Sequence, residues 1–184
     1  MTRHVAIITG ASRGIGRATA IRLAQDFGAV AIVARDPLTL ADTAEQIRVV
    51  GAEPLVLDGD LRKAAMIDYV VDATRSRFGR IDALVNIAGA LPLGDLFTLT
   101  DADWAEGLSL KFDAARQLTI AAWDLLTAAR GSVVITSGTS AITPKPSIGA
   151  VSTSNAAIWR WPRALPKKAW PTAFRSTAFC LARY

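Results

Sequence analysis

The sequence predicts an α/β protein built on one doubly wound, parallel sheet. Three observations carry this reading. Short runs rich in β-branched residues alternate with longer amphipathic stretches, and a glycine-rich turn leads straight from the first run into the first helix. The 184 residues, 51% of them hydrophobic, suffice for one domain whose strands are buried on both faces. Crossovers of this length between successive strands make parallel, right-handed units.

The predicted strands are HVAIIT (4–9), AVAIVA (29–34), PLVLD (54–58), IDALVN (81–86) and SVVITS (132–137). Helical patterns fill the intervals, at about 14–27, 37–50, 62–78 and 101–129. The first is expected to turn Ile15, Ala18, Leu23 and Phe27 toward one side. The last starts after LTDAD, where Thr100 or Asp101 can cap it and the acidic side chains suit a helix N-terminus. Trp104, Leu108, Phe112 and Ala115 then recur at helical spacing. A fifth helix begins in SNAAIWRWPRALP (154–166). Pro162 and Pro166 break it, each costing ~3 kcal/mol in a helix interior.

Charge is divided unevenly. Residues 1–124 hold 13 Lys/Arg against 16 Asp/Glu, whereas residues 125–184 hold 8 Lys/Arg and no acid. The basicity therefore belongs to the tail and is no stripe across a fold, which argues against a nucleic-acid partner. No run reaches the ~18 apolar residues of a membrane span, and the N-terminal apolar stretch is short for a secretory signal. The single cysteine, Cys180, offers no disulfide framework, so the expected location is cytoplasmic. No metal site is expected.

The turn is TGASRGIG, Thr9–Gly16. Gly10 permits the tight turn, Gly14 lets backbone approach a pyrophosphate, and Gly16 lets the helix pack close to the sheet. Strand before and helix after make this a Rossmann-like phosphate cradle; the plainer alternative is a glycine loop without a ligand. The spacing, TGxxxGxG, resembles that of the short-chain dehydrogenase/reductase family. LVNIAG (84–89) resembles the family's LVNNAG, with Ile87 in place of the second Asn. Asp60-Leu61 matches its adenine-contacting pair, and WAEGLSLKF (104–112) resembles its WxxxxxVNL segment. The likeness covers residues 4 to about 158.

The resemblance implies a nicotinamide cofactor held by Gly10, Ser12, Arg13, Gly14, Ile15, Gly16, Arg35, Asp60, Leu61, Asn86, Ala88 and Gly89. An NAD-selective site ends its second strand in a carboxylate that accepts from the ribose 2′-hydroxyl. Here that place is Ala34, followed by Arg35, and Arg13 adds a second positive charge within the turn. Such a pair favours NADP(H) over NAD(H), because it pairs with a 2′-phosphate that a carboxylate repels. Asp36 leaves NAD(H) open, and surface arginines merely solvated are the plainer reading.

The resemblance also implies hydride transfer at a carbonyl or alcohol carbon, with a Tyr as acid/base, a Lys lowering its pKa, a Ser polarising the substrate and an Asn holding a water. All four positions depart from that pattern: they hold Val151, Asn155, Gly138 and Lys111 respectively. Ser137 and Thr139 flank Gly138, and Ala156-Ala157 follow Asn155 as the pattern expects. Tyr69, one of two tyrosines, is assigned to core packing, and His4 to a structural role. A rebuilt site would draw on Lys111 as an acid and on Ser137, Ser152 or Thr153 as polarising hydroxyls.

Two functions follow. One is an NADP(H)-dependent oxidoreductase acting on a small carbonyl or alcohol substrate; the other is a non-catalytic nucleotide-binding remnant, or pseudoenzyme. The division of the chain is into a dinucleotide-binding domain, 1–158, and an irregular basic tail, 159–184. The tail reads either as a genuine divergent cap or as a stretch translated out of frame. Written in GC-rich codons and read one nucleotide earlier, AWPTAFRSTAFCLARY (169–184) can become GLADGVQVNSVLPGPV, which resembles the family's missing strand and its NxxxPG turn. In either case the sheet is expected to be incomplete at its C-terminal edge, with the fifth strand exposed. Homo-oligomers are typical of the family and doubtful here, because the helices that pair are half present.

Overall fold

The computed structural model describes residues 3–165 and 176–181. Strands β1 (Val5–Thr9), β2 (Ala29–Ala34), β3 (Glu53–Asp58), β4 (Ala83–Asn86), β5 (Ser132–Gly138) and β6 (Ser176–Leu181) form one sheet in the order β3-β2-β1-β4-β5-β6. Every neighbouring pair is parallel. Between them run α1 (Gly14–Leu23), α2 (Pro37–Val49), α3 (Ala64–Phe78), α4 (Asp101–Leu108), α5 (Ala114–Ala121), α6 (Trp123–Ala128) and α7 (Gly149–Arg160). This is the expected doubly wound, Rossmann-like architecture.

Alternation along each strand divides the core in two. Ile7, Val33, Leu57, Leu84 and Ile135 face one layer with α3, α5, α6 and α7. Ile8, Val30, Ile32 and Val85 face the other with α1 and α2. Strands β1 to β5 are thus apolar on both sides, as a sheet covered twice requires.

Three expectations about the elements change. The buried face of α1 is Gly16 and Ala20, while Ile15 is 54% exposed. Small residues win that face because the helix lies too close to the sheet for larger ones. The stretch 101–129 is one helical path interrupted by a π-turn, Ser109–Asp113, and by a break before Trp123. Its start is a capping box, in which Asp103 N donates to Thr100 Oγ1 at 3.3 Å and Thr100 N donates to Asp103 Oδ2 at 2.9 Å.

The third change concerns the sheet edge. β6 pairs with β5 from Val133↔Ser176 to Gly138↔Leu181, so β5 is an inner strand and not the rim. Among the described residues no seventh strand follows. Helix α7 ends at Arg160 and passes into a 3₁₀ turn, Trp161–Ala164, in which Pro162 is buried. Trp161 meets Phe112 of the π-turn edge-on, with ring centroids 6.4 Å apart. Apart from β6, the out-of-frame reading of 169–184 falls on residues outside the described ones.

At the base of the sheet, Asp82 holds β1 to β4. It accepts from Val5 N at 2.8 Å and from Arg80 at 2.9 and 2.6 Å, and His4 Nδ1 lies 3.0 Å away. His4 is therefore structural, as expected. Tyr69 is not a core residue, being 54% exposed on α3.

Candidate functional site

In the order β3-β2-β1-β4-β5-β6 the chain changes direction between β1 and β4, and ligands of such sheets bind at the C-terminal ends of the strands beside that point. The glycine turn sits there. Gly10 has φ 71° and donates from its N to Val33 O at 2.8 Å. A Cβ on Gly10 would lie 3.0 Å from Ala88 N, and one on Gly16 would lie 2.0 Å from Gly10 O. Gly14, at φ 54°, faces open space, which is what close approach by a ligand requires. No side chain caps α1, so its first amides are left to an outside acceptor.

Thr9 welds this turn to the LVNIAG segment. Its Oγ1 accepts from Ile87 N at 3.0 Å and from Ala88 N at 3.1 Å. Asn86 is buried and its Nδ2 has no hydrogen-bond partner, while its O accepts from Thr136 Oγ1 at 3.3 Å. A glycine cradle, uncapped helical amides and a buried donor without an acceptor fit a phosphate-bearing dinucleotide. The structure thus brings Gly10, Ser12, Arg13, Gly14, Ile15, Gly16, Asn86, Ala88 and Gly89 to one end of the sheet. Leu61 is a different case: its side chain is 5% exposed and belongs to the core.

Around the end of β2 the charged groups sort themselves. Asp36 Oδ1 accepts from Leu38 N at 3.0 Å and so caps α2. Arg13 and Arg35 are both exposed. Neither makes an ion pair or side-chain hydrogen bond among the described residues. Asp60 is bound by Arg62, whose Nε lies 3.0 Å from each carboxylate oxygen and whose Nη2 lies 2.6 Å from Oδ2. That bond holds the Asp60 carboxyl below the usual carboxylate range despite partial burial, with the charges of Arg62 and Arg35 adding to the effect.

The positions of the expected chemistry also converge. Lys111 lies in the π-turn, and its Cδ is 3.6 Å from where a Gly89 Cβ would stand. Such turns are frequent at functional sites. Val151 and Asn155 face the core side of α7, at 5% and 3% exposure. Asn155 Nδ2 donates to Ser140 Oγ at 2.9 Å and stands 2.7 Å from where a Gly138 Cβ would be. Its Oδ1 is buried without a partner.

The polarising hydroxyls of the rebuilt site are already committed. Ser137 Oγ donates to Asn155 O at 3.0 Å, Ser152 Oγ to Ile148 O at 2.8 Å, and Thr153 Oγ1 to Gly149 O at 3.1 Å. A hydroxyl has one proton to give, so each must break a bond before it polarises anything. Sequence reasoning missed the Asn155–Ser140 pair and the Arg62 fork. Only the short Asp60–Arg62 spacing was there to suggest the fork.

Among the described residues no cluster of three His, Cys, Asp or Glu side chains could hold a metal, and no helix is long and apolar enough to cross a membrane.

The sequence profile of a family described as short chain dehydrogenase matches residues 4–182. The chain is 35% identical over 156 residues to 11-beta-hydroxysteroid dehydrogenase A of Sesamum indicum, covering 84% of this chain and 45% of that protein. It is 31% identical over 165 residues to 2,3-dihydro-2,3-dihydroxybenzoate dehydrogenase of Bacillus subtilis (strain 168), covering 88% and 62%. It thus spans about half the length of these relatives. Among solved structures, a metagenomic short-chain oxidoreductase in complex with NADP is 27% identical with TM-score 0.88, over 95% of this chain and 80% of that one. An alcohol dehydrogenase from Thermococcus sibiricus complexed with 5-hydroxy-NADP is 27% identical with TM-score 0.90, over 97% and 76%.

Proposed function

Because the chain belongs to the short-chain dehydrogenase/reductase family of oxidoreductases, we propose that it binds NADP(H) in preference to NAD(H) and acts on a small carbonyl or alcohol substrate. One observation carries the preference: the acid after β2, Asp36, caps α2, while Arg13 and Arg35 make no ion pair or side-chain hydrogen bond among the described residues. The carboxylate that follows β2 thus turns one oxygen to the helix cap, while two exposed guanidinium groups stand ready to pair with a 2′-phosphate. The NADP and 5-hydroxy-NADP bound by the two solved relatives support the same choice.

The remaining roles follow from the geometry. The first amides of α1 and the glycine turn take the pyrophosphate, and Asp60 offers an acceptor to adenine. When bound, the nicotinamide supplies or accepts a hydride. Lys111, beside Gly89, carries the only ionisable side chain among the four expected catalytic positions and is assigned the proton. The cytoplasm remains the proposed location.

Titration with NADPH and NADH tests the binding claim, and tighter binding of NADPH is the expected result. Equal affinities refute it. Turnover across a panel of ketones and secondary alcohols, lost on Lys111→Ala, tests the chemistry. The second reading, binding without turnover, has its own support: Val151 has no proton to exchange, and Ser137, Ser152 and Thr153 are already donating. NADPH binding with no turnover across the panel selects it.

A further inference from the structure

Arg62 stands outside every motif that the sequence offers. It sits between β3 and α3, and its guanidinium forks onto both oxygens of Asp60, with Arg62 N adding a bond to Asp60 Oδ1 at 3.0 Å. Arg62 Nη1 also lies 3.7 Å from Glu106 Oε1 on α4, so the fork is anchored from a second element.

Asp60 has a second cation close by. Gly59 N donates to Ala34 O at 2.9 Å, which brings the 59–60 turn against the end of β2, where Arg35 follows. Arg35 is near enough for its charge to act on the Asp60 carboxyl, yet it makes no ion pair with it. Two arginines therefore compete for one carboxylate. Arg62 holds it by a bidentate fork, the stronger geometry, and Arg35 is left over.

We propose that Arg62 is a specificity-determining residue: by occupying Asp60 it keeps Arg35 available to the 2′-phosphate of NADP(H). Without Arg62, the Asp60 carboxylate turns to Arg35 and opposes the same phosphate. NADH, which lacks that phosphate, loses little. Arg62 thus acts through Asp60 and Arg35 and is a positioning residue. The inference rests on the proposed NADP(H) site.

The test is a double-mutant cycle in the whole chain. Wild type, Arg62→Ala, Asp60→Asn and the double variant are titrated with NADPH and NADH by nicotinamide fluorescence, with thermal melts of each protein alone. Arg62→Ala is expected to lower the NADPH-to-NADH affinity ratio by about fivefold, the scale of one partly exposed charge pair. Adding Asp60→Asn is expected to restore the ratio, because the competing charge is gone. A merely structural Arg62 would weaken both cofactors alike and would not be rescued. An unchanged ratio in Arg62→Ala, or a fall that Asp60→Asn leaves in place, overturns the proposal. A wild-type chain that binds both cofactors equally, or neither, overturns the cofactor reading as well. Should Arg62→Ala melt too low to titrate, Arg62→Lys, which keeps the charge and loses the fork, takes its place with the same direction expected and the same overturning result.

Discussion

The two ends of the proposed site obey different rules. At the glycine turn, the three glycines are dictated by backbone: Gly10 and Gly14 have positive φ, and Gly16 touches the carbonyl of Gly10. At the junction of β5 and α7, side chains decide what fits. Asn155 fills the space above Gly138 and bonds Ser140, and Val151 is buried. A cradle made of main-chain amides tolerates few residues, because a ligand there would meet the chain itself. A site made of side chains can be exchanged for another set so long as volume and hydrogen bonds are kept. Gly138 and Asn155 are thus complementary: a residue larger than glycine at 138 would press on the asparagine at 155.

The sharpest way to break this contrast is Gly16→Ala. Its new Cβ would lie 2.0 Å from Gly10 O, and the obstacle is backbone, which cannot swing aside. A destabilisation of about 3 kcal/mol is expected, at the upper end of overpacking costs, together with loss of NADPH binding. Urea unfolding and cofactor titration measure the two effects. A variant as stable as wild type would mean that the helix is less closely docked than the structure shows.

The second test falls on the other end. Asn155→Ala removes the donor to Ser140 and leaves a void over Gly138, for an expected cost of about 1–3 kcal/mol. Gly138→Ser is expected to cost about 1 kcal/mol or more in wild type, because its Cβ meets the Asn155 amide, and less beside Asn155→Ala. The coupling from that cycle, about 1 kcal/mol, is what complementarity means. Strict additivity would show that the two replacements are unrelated.

This contrast also explains what was legible in the sequence. Strand positions and helix order were readable because alternation and glycine punctuation report on backbone. So were the tight turn at Gly10 and the close packing at Gly16, which depend on having no side chain. Asn155 stands in the sequence only where a lysine is expected, since nothing in a linear string shows that it lies over Gly138. The face of α1 was misread because hydrophobicity pointed to Ile15, whereas close docking put Gly16 and Ala20 inside. The fifth strand was read as an edge because the prolines and tryptophans after residue 158 gave no strand pattern, and parallel pairing from 176 cannot be inferred by counting.

A smaller effect, on pH, tests whether both ends share one support. β1 and β4, whose C-terminal ends carry the cradle, are joined at their other ends by Asp82. Burial pushes that carboxyl up, but the bonds from Arg80, His4 and Val5 N together outweigh burial and hold it below its ordinary value. A carboxyl whose pKa is lower folded than unfolded contributes stability that is fully present above the unfolded value, about 3.9. That contribution is lost as pH falls from there through the folded value, because the unfolded chain then binds the proton more readily. Urea midpoints should therefore be unaffected by this group from pH 7 to 5 and fall below about pH 4. Asp82→Asn, which keeps the shape and removes the charge, should lower stability at pH 7 and flatten that fall. If the slope below pH 4 is the same in the variant, the acid sensitivity belongs to other carboxylates and Asp82 is no more than a spacer between the strands.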